Sequence, residues 1–313
     1  MFRFILRRVI AGVILLFVVS SIAYVLLYLG AGDIARQILG QDATQEQVAA
    51  LNSDLGLDQP VLVAYATWLG NAVTGDFGVS WFTQQPVVQA ISSRVAVTLS
   101  LVIGTVILTA IVGTTLGVWA ARKRGAADRT VQIVSVLGFA IPGFLIAILL
   151  VNLFAIRLGW FKPTGFVPLT SSLPGWLSTV TLPIIALSIG AIAAIAAQIR
   201  GGVIDTMRQD WVRTLRSRGL SENRVLYKHV LRNAGGPALA VLAVQFVGLL
   251  GGAIIVEQIF AIPGLGQVAT TSTAQGDIPL VMGLVVVTAA ITVIVNIVLE
   301  ILQGSLNPKA RVS

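Results

Sequence analysis

Arg213 to Asn233 reads RTLRSRGLSENRVLYKHVLRN, six Lys and Arg with one acid and the chain's single histidine, His229. It follows GGVIDTM-RQDWV and runs into AGGPALAVLAVQFVGLLGG, so a dense basic island stands between apolar stretches. Its residues predict a local shape. A helix from about Gly202 to Arg218 stops at Gly219, a favoured residue for a left-handed helix end. Ser221 then caps a second helix, with Glu222 in the first turn, where the helix dipole favours an anion. Along that helix Arg224, Lys228 and Arg232 recur every four residues as a polar stripe, and Leu226 and Val230 form an apolar one. Such a two-faced hairpin suits either docking to another protein or lying on anionic lipid headgroups.

The rest of the chain decides where the hairpin sits. Of 313 residues 56% are hydrophobic and 11% charged, against roughly 25% charged in soluble domains, and the mean hydropathy is +0.90. This is the composition of an integral membrane protein. Six apolar runs, 9–29, 95–121, 131–156, 182–199, 237–262 and 278–302, are each long enough to cross a bilayer as a helix. If the N-terminus is inside, 17 of the 21 Lys and Arg fall in the inner segments, leaving Arg36, Arg94, Arg157 and Lys162 outside. The positive-inside rule therefore predicts N-in, C-in, and it accounts for a pI near 10.6 with no nucleic acid as partner. The first run is longer than the apolar core of a cleaved signal peptide and is read as a retained span.

Between the first two spans residues 30–94 predict a small helical cap on the outer face. Thr44 is placed as N-cap of a helix over 43–55, Pro60 stands near the start of a second, and TGDFGVSW reads as a turn. After the fifth span, within EQIFAIPGLG (257–266), the stretch Ile-Pro-Gly-Leu-Gly (262–266) cannot continue a helix, since Pro263 lacks a donor and two glycines favour turns. The pairs Gly113/Gly117 and Gly248/Gly252 predict close helix packing.

Chemistry is sparse. No cysteine occurs, which excludes disulfides, thiolate metal sites and cysteine catalysis, and one histidine excludes a histidine metal cluster. No span centre carries an ionisable residue, which argues against an intramembrane enzyme or an ion-coupled carrier. No phosphate-binding loop G-x-x-x-x-G-K-[ST] is present, so any ATP must be hydrolysed by another chain.

Five stretches together resemble the permeases of binding-protein-dependent ABC importers, in the dipeptide/oligopeptide version and its B-type subunit. They are FRFILRRV (2–9), DLGLDQPVLVAYATWLGNAVTGDFGVSW (54–81), TLPIIALSIG (181–190), RQDWVRTLRSRGLSENRVLYKHVLRNA (208–234) and EQIFAIPGLG (257–266). They lie in the family's order and cover nearly the whole chain. Departures are Arg213-Thr214-Leu215 where the general motif has Glu-Ala-Ala, Gly32-Asp33-Ile34 for Gly-Asp-Pro, and Asn307-Pro308-Lys309 for Asp-Pro-Arg.

The resemblance implies an all-α permease of six spans. Residues 1–29 form the tail and first span, 30–94 the cap, 95–303 the core with a coupling segment at 201–236 and an outer gate loop at 257–277, and 304–313 a cytoplasmic tail. It implies a non-enzymatic subunit that binds no cofactor, ATP and Mg being held by two cytoplasmic ATPases. A second homologous permease and an extracellular binding protein complete the machine, in the inner membrane of a bacterium or archaeon. The cargo would be a peptide or a related small solute. Asp210, Arg213, Thr214, Arg216, Gly219, Leu220, Ser221, Arg224 and Leu226 would couple to an ATPase, and Glu257, Ile259, Phe260, Pro263, Gly264, Leu265 and Gly266 would form the gate. The two acids of that outer segment, Glu257 and Asp277, read either as attractors for a peptide amino terminus or, preferably, as solvated charges or partners for basic residues of the binding protein. The competing reading is a self-sufficient carrier or channel whose basic hairpin only anchors it to lipid.

Overall fold

The computed structural model describes residues 2–30, 34–123 and 125–306, with side chains described for all of these except 2–5, 127, 305 and 306. Gly32-Asp33 and Asn307-Pro308-Lys309, two of the departures noted above, lie outside the described residues. Among the described residues the chain is helical, with one isolated antiparallel bridge between Val79 and Pro86. The helices are α1 (Phe2–Leu29), α2 (Ile34–Leu39), α3 (Gln45–Asp54), α4 (Val61–Val73), α5 (Val87–Lys123), α6 (Gly125–Ala140), α7 (Gly143–Leu150), α8 (Leu173–Met207), α9 (Asp210–Ser217), α10 (Glu222–Arg224), α11 (Leu231–Ile259), α12 (Leu265–Gln275) and α13 (Ile278–Leu306). Two stretches of wider, π-helical turns join in: Val151–Arg157 extends α7, and Val225–Val230 fuses α10 to α11.

Five helical runs are long and apolar enough to span a membrane: Leu6–Leu29, Val87–Lys123, Leu173–Met207, Glu222–Ile259 and Ile278–Gly304. The expected third span differs. It is two helices, Asp128–Ala140 and Gly143–Arg157, bent by 94°. Pro142 removes a donor and disfavours a helical residue before it, so the last bond of α6 is Ile141 N–H to Leu137 and the next helix opens on the Pro142 carbonyl. Pro183 and Pro237 stay inside α8 and α11 without ending them.

The described residues form two compact units, those within 6–97 with 263–293, and those within 98–262 with 2–5 and 294–306. In the first of these, Thr44 is the N-cap of α3 and Pro60 precedes α4, as the sequence predicts, and Gln47 completes a reciprocal capping box with Thr44. Tyr65 of α4 bonds Ser20 and Ser21 of α1, each at 2.9 Å, and packs its ring against Tyr24 at 5.3 Å. These contacts satisfy the phenol and hydroxyls where water is scarce.

In the other unit α5 packs on α8 through Gly113 and Gly117. A methyl group on either would fall within 2.9 Å of Ile195 or 2.7 Å of the Ala196 carbonyl, which is the close approach small residues permit. The Gly248/Gly252 pair does not do the same. Gly248 has nothing within 4 Å of where a side chain would begin and instead borders a cavity with Gly138 and Gly190. The end of α8 is tied to the start of α6 by a bidentate ion pair, Arg200 with Asp128, Nη2 to Oδ2 being 2.7 Å.

Candidate functional site

The basic segment folds as a hairpin, with its first helix divided. α8 runs unbroken to Met207, the chain turns at Arg208–Gln209, and α9 covers Asp210–Ser217. The expected single helix from Gly202 is therefore two pieces, with Gln209 in extended conformation before α9 and the Trp211 indole donating to its side-chain oxygen at 2.5 Å. At the far end Gly219 has φ +80°. Its N–H reaches the Arg216 carbonyl at 2.9 Å and the Leu220 N–H reaches the Leu215 carbonyl at 3.3 Å. This pair of bonds is a Schellman ending, and a side chain in that conformation costs about 1–2 kcal/mol.

Ser221 stands at the next helix start in extended conformation, but its hydroxyl caps nothing. Glu222 does more than meet the helix dipole. Its carboxylate receives both Nε and Nη2 of Arg216, at 2.7 and 3.1 Å, across the turn. The sequence signal for this clasp was an acid and a base six residues apart around a glycine, too generic a pattern to single out. The second ion pair, Arg213 with Asp210 at 3.7 Å, is almost fully solvated.

Burial separates the named residues. Asp210, Arg213, Thr214, Arg216, Gly219, Ser221 and Arg224 are exposed, Leu220 is half-buried, and Leu226 is buried. Leu226 cannot be a direct docking contact: with Val212, Val225 and Val230 it packs into the core formed with Ile195, Ile199 and Val203 of α8. The hairpin thus has an apolar root seated on the membrane helices and a cationic crest facing away.

The segment after the fifth span corrects a larger expectation. Glu257 is fully buried and accepts from Thr98 Oγ1 of α5 at 2.6 Å. Asp277 is 1% exposed; its Oδ2 accepts from Ser80 Oγ at 2.5 Å and its Oδ1 from the Trp81 N–H at 3.3 Å. It also receives the Leu280 N–H at 3.4 Å, capping α13. Neither acid is a solvated charge, and neither is presented to a peptide amine. Burying a carboxyl is costly unless its oxygens are bonded, which is what Thr98 and Ser80 provide.

α11 ends at Ile259, and the chain then repeats the Schellman pattern. Ala261 N–H bonds the Gln258 carbonyl at 3.2 Å and Ile262 N–H the Glu257 carbonyl at 2.8 Å. Here the left-handed position is held by an alanine, φ +46°. Phe260 and Ile262 are buried, Ile259 is half-buried, Pro263 is exposed, and Gly264, Leu265 and Gly266 are buried. Pro263 and Gly264 separate this ending from α12, which begins at Leu265, so 257–277 is a helix end followed by a helix rather than a free loop.

Known proteins place this architecture. The family described as the binding-protein-dependent transport system inner membrane component matches residues 113–312, and its N-terminal companion matches 1–102. A putative peptide transport system permease of Brucella abortus is 38% identical over 308 residues, covering 98% of each chain. A probable peptide ABC transporter permease of Sinorhizobium fredii is 33% identical, covering 98% of this chain and 99% of its own. The glutathione transport system permease of Escherichia coli is 32% identical, covering 99% of each. Among solved structures, a methionine ABC transporter in inward-facing form aligns with a TM-score of 0.55 at 17% identity, covering 70% of this chain and 97% of the other. That likeness concerns the fold.

Proposed function

We propose, from the premise that this chain belongs to the family of binding-protein-dependent transport system inner membrane components and is a permease of an ABC importer, that it forms half of a translocation path for peptides or a related small solute. The cargo class is supported by relatives named for peptide and glutathione transport. The second half of the path is a homologous permease. An extracellular binding protein delivers the solute, and two ATPases sit beneath the pair in the inner membrane of a bacterium or archaeon. The N-terminus, the hairpin and the C-terminus share the cytoplasmic side, as the distribution of Lys and Arg favours.

One observation carries the coupling role. The crest of the hairpin, from Arg213 to Arg224, is exposed and turns at Gly219, while its root is locked into the core around Val212, Leu226 and Val230. A protein gripping the crest must therefore move the helices to which the root is fused. ATP-driven closure of the ATPases would contact the hairpin differently in each state, and only such differential contact can shift a conformational equilibrium. Arg213, Arg216, Leu220 and Arg224 provide the contacts, and Asp210, Thr214 and Ser221 shape the same crest. The segment 257–266 lines the outer mouth, where the exposed Pro263 meets solute or binding protein.

Co-purification tests the reading. The tagged chain, solubilised from cells expressing the whole system, should retain both ATPases, and cysteine cross-links from position 224 should reach them. Transport by the chain alone in vesicles, with no ATPase retained, would instead establish a self-sufficient carrier with a lipid-anchored hairpin.

A further inference from the structure

Helix α4 is apolar on two sides and packs on only one. No Asp, Glu, Lys or Arg occurs from Gln59 to Gly75. Tyr65, buried, with Val61, Ala64, Trp68 and Leu69, partly buried, seats α4 in the cluster around Tyr24 of α1. On the other side Leu62, Val63, Ala66, Gly70 and Val73 are exposed, Leu62 by 74% and Val73 by 81%. At 3.6 residues per turn these five fall within an arc of about 100°. Thr67 borders the arc, and its hydroxyl donates back to the Val63 carbonyl at 3.0 Å, so it needs no water.

Depth decides what meets that face. The span Leu6–Leu29 has 24 residues, about 36 Å of helix against a hydrocarbon core of about 30 Å, which leaves about 3 Å beyond each boundary. Tyr65 bonds Ser20 and Ser21 of this span, and their distance from Leu29 along the axis puts the bonds about 9–10 Å inside the hydrocarbon. The Tyr65 ring packs on Tyr24 and, deeper, on Phe17 at 6.3 Å. The chain reaches this level from Leu57 and Gln59, whose carbonyls accept from the Tyr28 hydroxyl near the Leu29 end. α1 is also the least buried of the five unbroken spans, with 17% of its apolar stretch buried against 28–50% in the others. Phe17, Val18 and Ile22, beside Tyr65, are exposed.

We infer that α4 is an interfacial helix sunk in the outer leaflet, with Leu62, Val63, Ala66 and Val73 against the same acyl chains that bathe Phe17 and Ile22 of α1. Helices of this class bury an apolar face about 5–10 Å into the boundary between headgroups and acyl chains, the depth found for Tyr65. A water-borne protein does not reach that level, and the mutual bonding of the Tyr65, Ser20 and Ser21 hydroxyls is what a site without water requires. The expected cap over 30–94 is therefore partly inside the membrane. The outer side follows from the N-in topology, whereas the embedding needs only that α1 cross the bilayer, whatever the solute.

Because the chain has no cysteine, spin labels can be placed singly at L62C, V63C and A66C, in the importer assembled in liposomes with cysteine-free partner subunits. Collisions with oxygen, which enters the hydrocarbon, would be compared with collisions with a water-soluble nickel chelate. At all three positions oxygen should dominate as it does at I22C of α1, and at E46C of α3 the ratio should reverse. Nickel collisions on α4 matching those at position 46 would overturn the inference by placing the face in water. Labels immobilised and shielded from both reagents would overturn it by showing a protein against the face. A measurement without substitutions guards against variants that fail to assemble: a phospholipid carrying a photoactivatable diazirine in its acyl chain should label residues 61–73 of the unmodified importer as well as α1, and labelling of α1 alone would equally overturn the inference. Substrate-stimulated ATP hydrolysis of the same liposomes reports the transport reading separately.

Discussion

The two ends of the helical run Glu222–Ile259 use one solution with different residues. The run is preceded by a Schellman ending around Gly219 and closes in another around Ala261. At the first the left-handed residue is glycine, and an exposed ion pair staples the turn. At the second it is alanine, and a fully buried Glu257 sits one turn back on Thr98. The first ending is set by local chain preferences and is free of strain. The second is held against its preference by the packing of Phe260 and Ile262 around it. A glycine turn without such packing suits a surface where a partner sets the final shape, and an over-determined one suits a junction that must not yield.

Substitutions can break or sharpen this contrast. The largest effects should come from buried groups at either end. Leu226→Ala should destabilise the chain by about 2–4 kcal/mol through the cavity it opens, seen as a lowered unfolding midpoint in detergent. Glu257→Ala should cost about 1–3 kcal/mol by removing the buried acceptor of the Thr98 hydroxyl. In a double-mutant cycle with Thr98→Val the two losses should not add, and simple additivity would show that the bond is not shared. Gly219→Val comes next, straining the turn by about 1–2 kcal/mol. Its distinguishing effect is a loss of substrate-stimulated ATP hydrolysis of at least tenfold in the assembled complex, and unchanged stimulation with intact assembly would remove Gly219 from the coupling path. Ala261→Gly should act in the opposite direction, stabilising by up to about 1 kcal/mol as the alanine's left-handed strain is relieved. Glu222→Ala should shift stability by less than about 1 kcal/mol, an effect that fades as salt is raised.

The same contrast explains what could be read from the sequence. Gly219, the N-cap role of Thr44 and five of the six apolar spans depend on residues within a few positions of one another and are legible in the sequence, whereas the cap expected of Ser221 is not made. The partner of Glu257 is Thr98 and that of Asp277 is Ser80, far off in the chain. An acid among turn residues therefore looked solvated when its burial was decided by another helix. The break at Pro142 was missed for a related reason. Pro183 and Pro237 remain within helices, so a proline inside an apolar run does not by itself announce a bend, and the run 131–156 read as one span. Leu226 lies in the apolar stripe the sequence predicts, and of the residues expected to couple it is the buried one. Its neighbour Val225 is buried as well, and the π-helical turns shift the inward face away from the simple four-residue repeat on which that stripe was drawn.

The unbroken run from Glu222 to Ile259 has a mechanical consequence. Its 38 residues make a rod about 57 Å long at 1.5 Å per residue. A tilt of about 10° about its midpoint would carry each tip sideways by about 5 Å, in opposite directions. With one tip at the cationic crest and the other bearing the Glu257 junction, a rod that tilted as one piece would act as a seesaw, and a push of a few ångströms at one end would arrive as a comparable displacement at the other without any residue between them changing conformation.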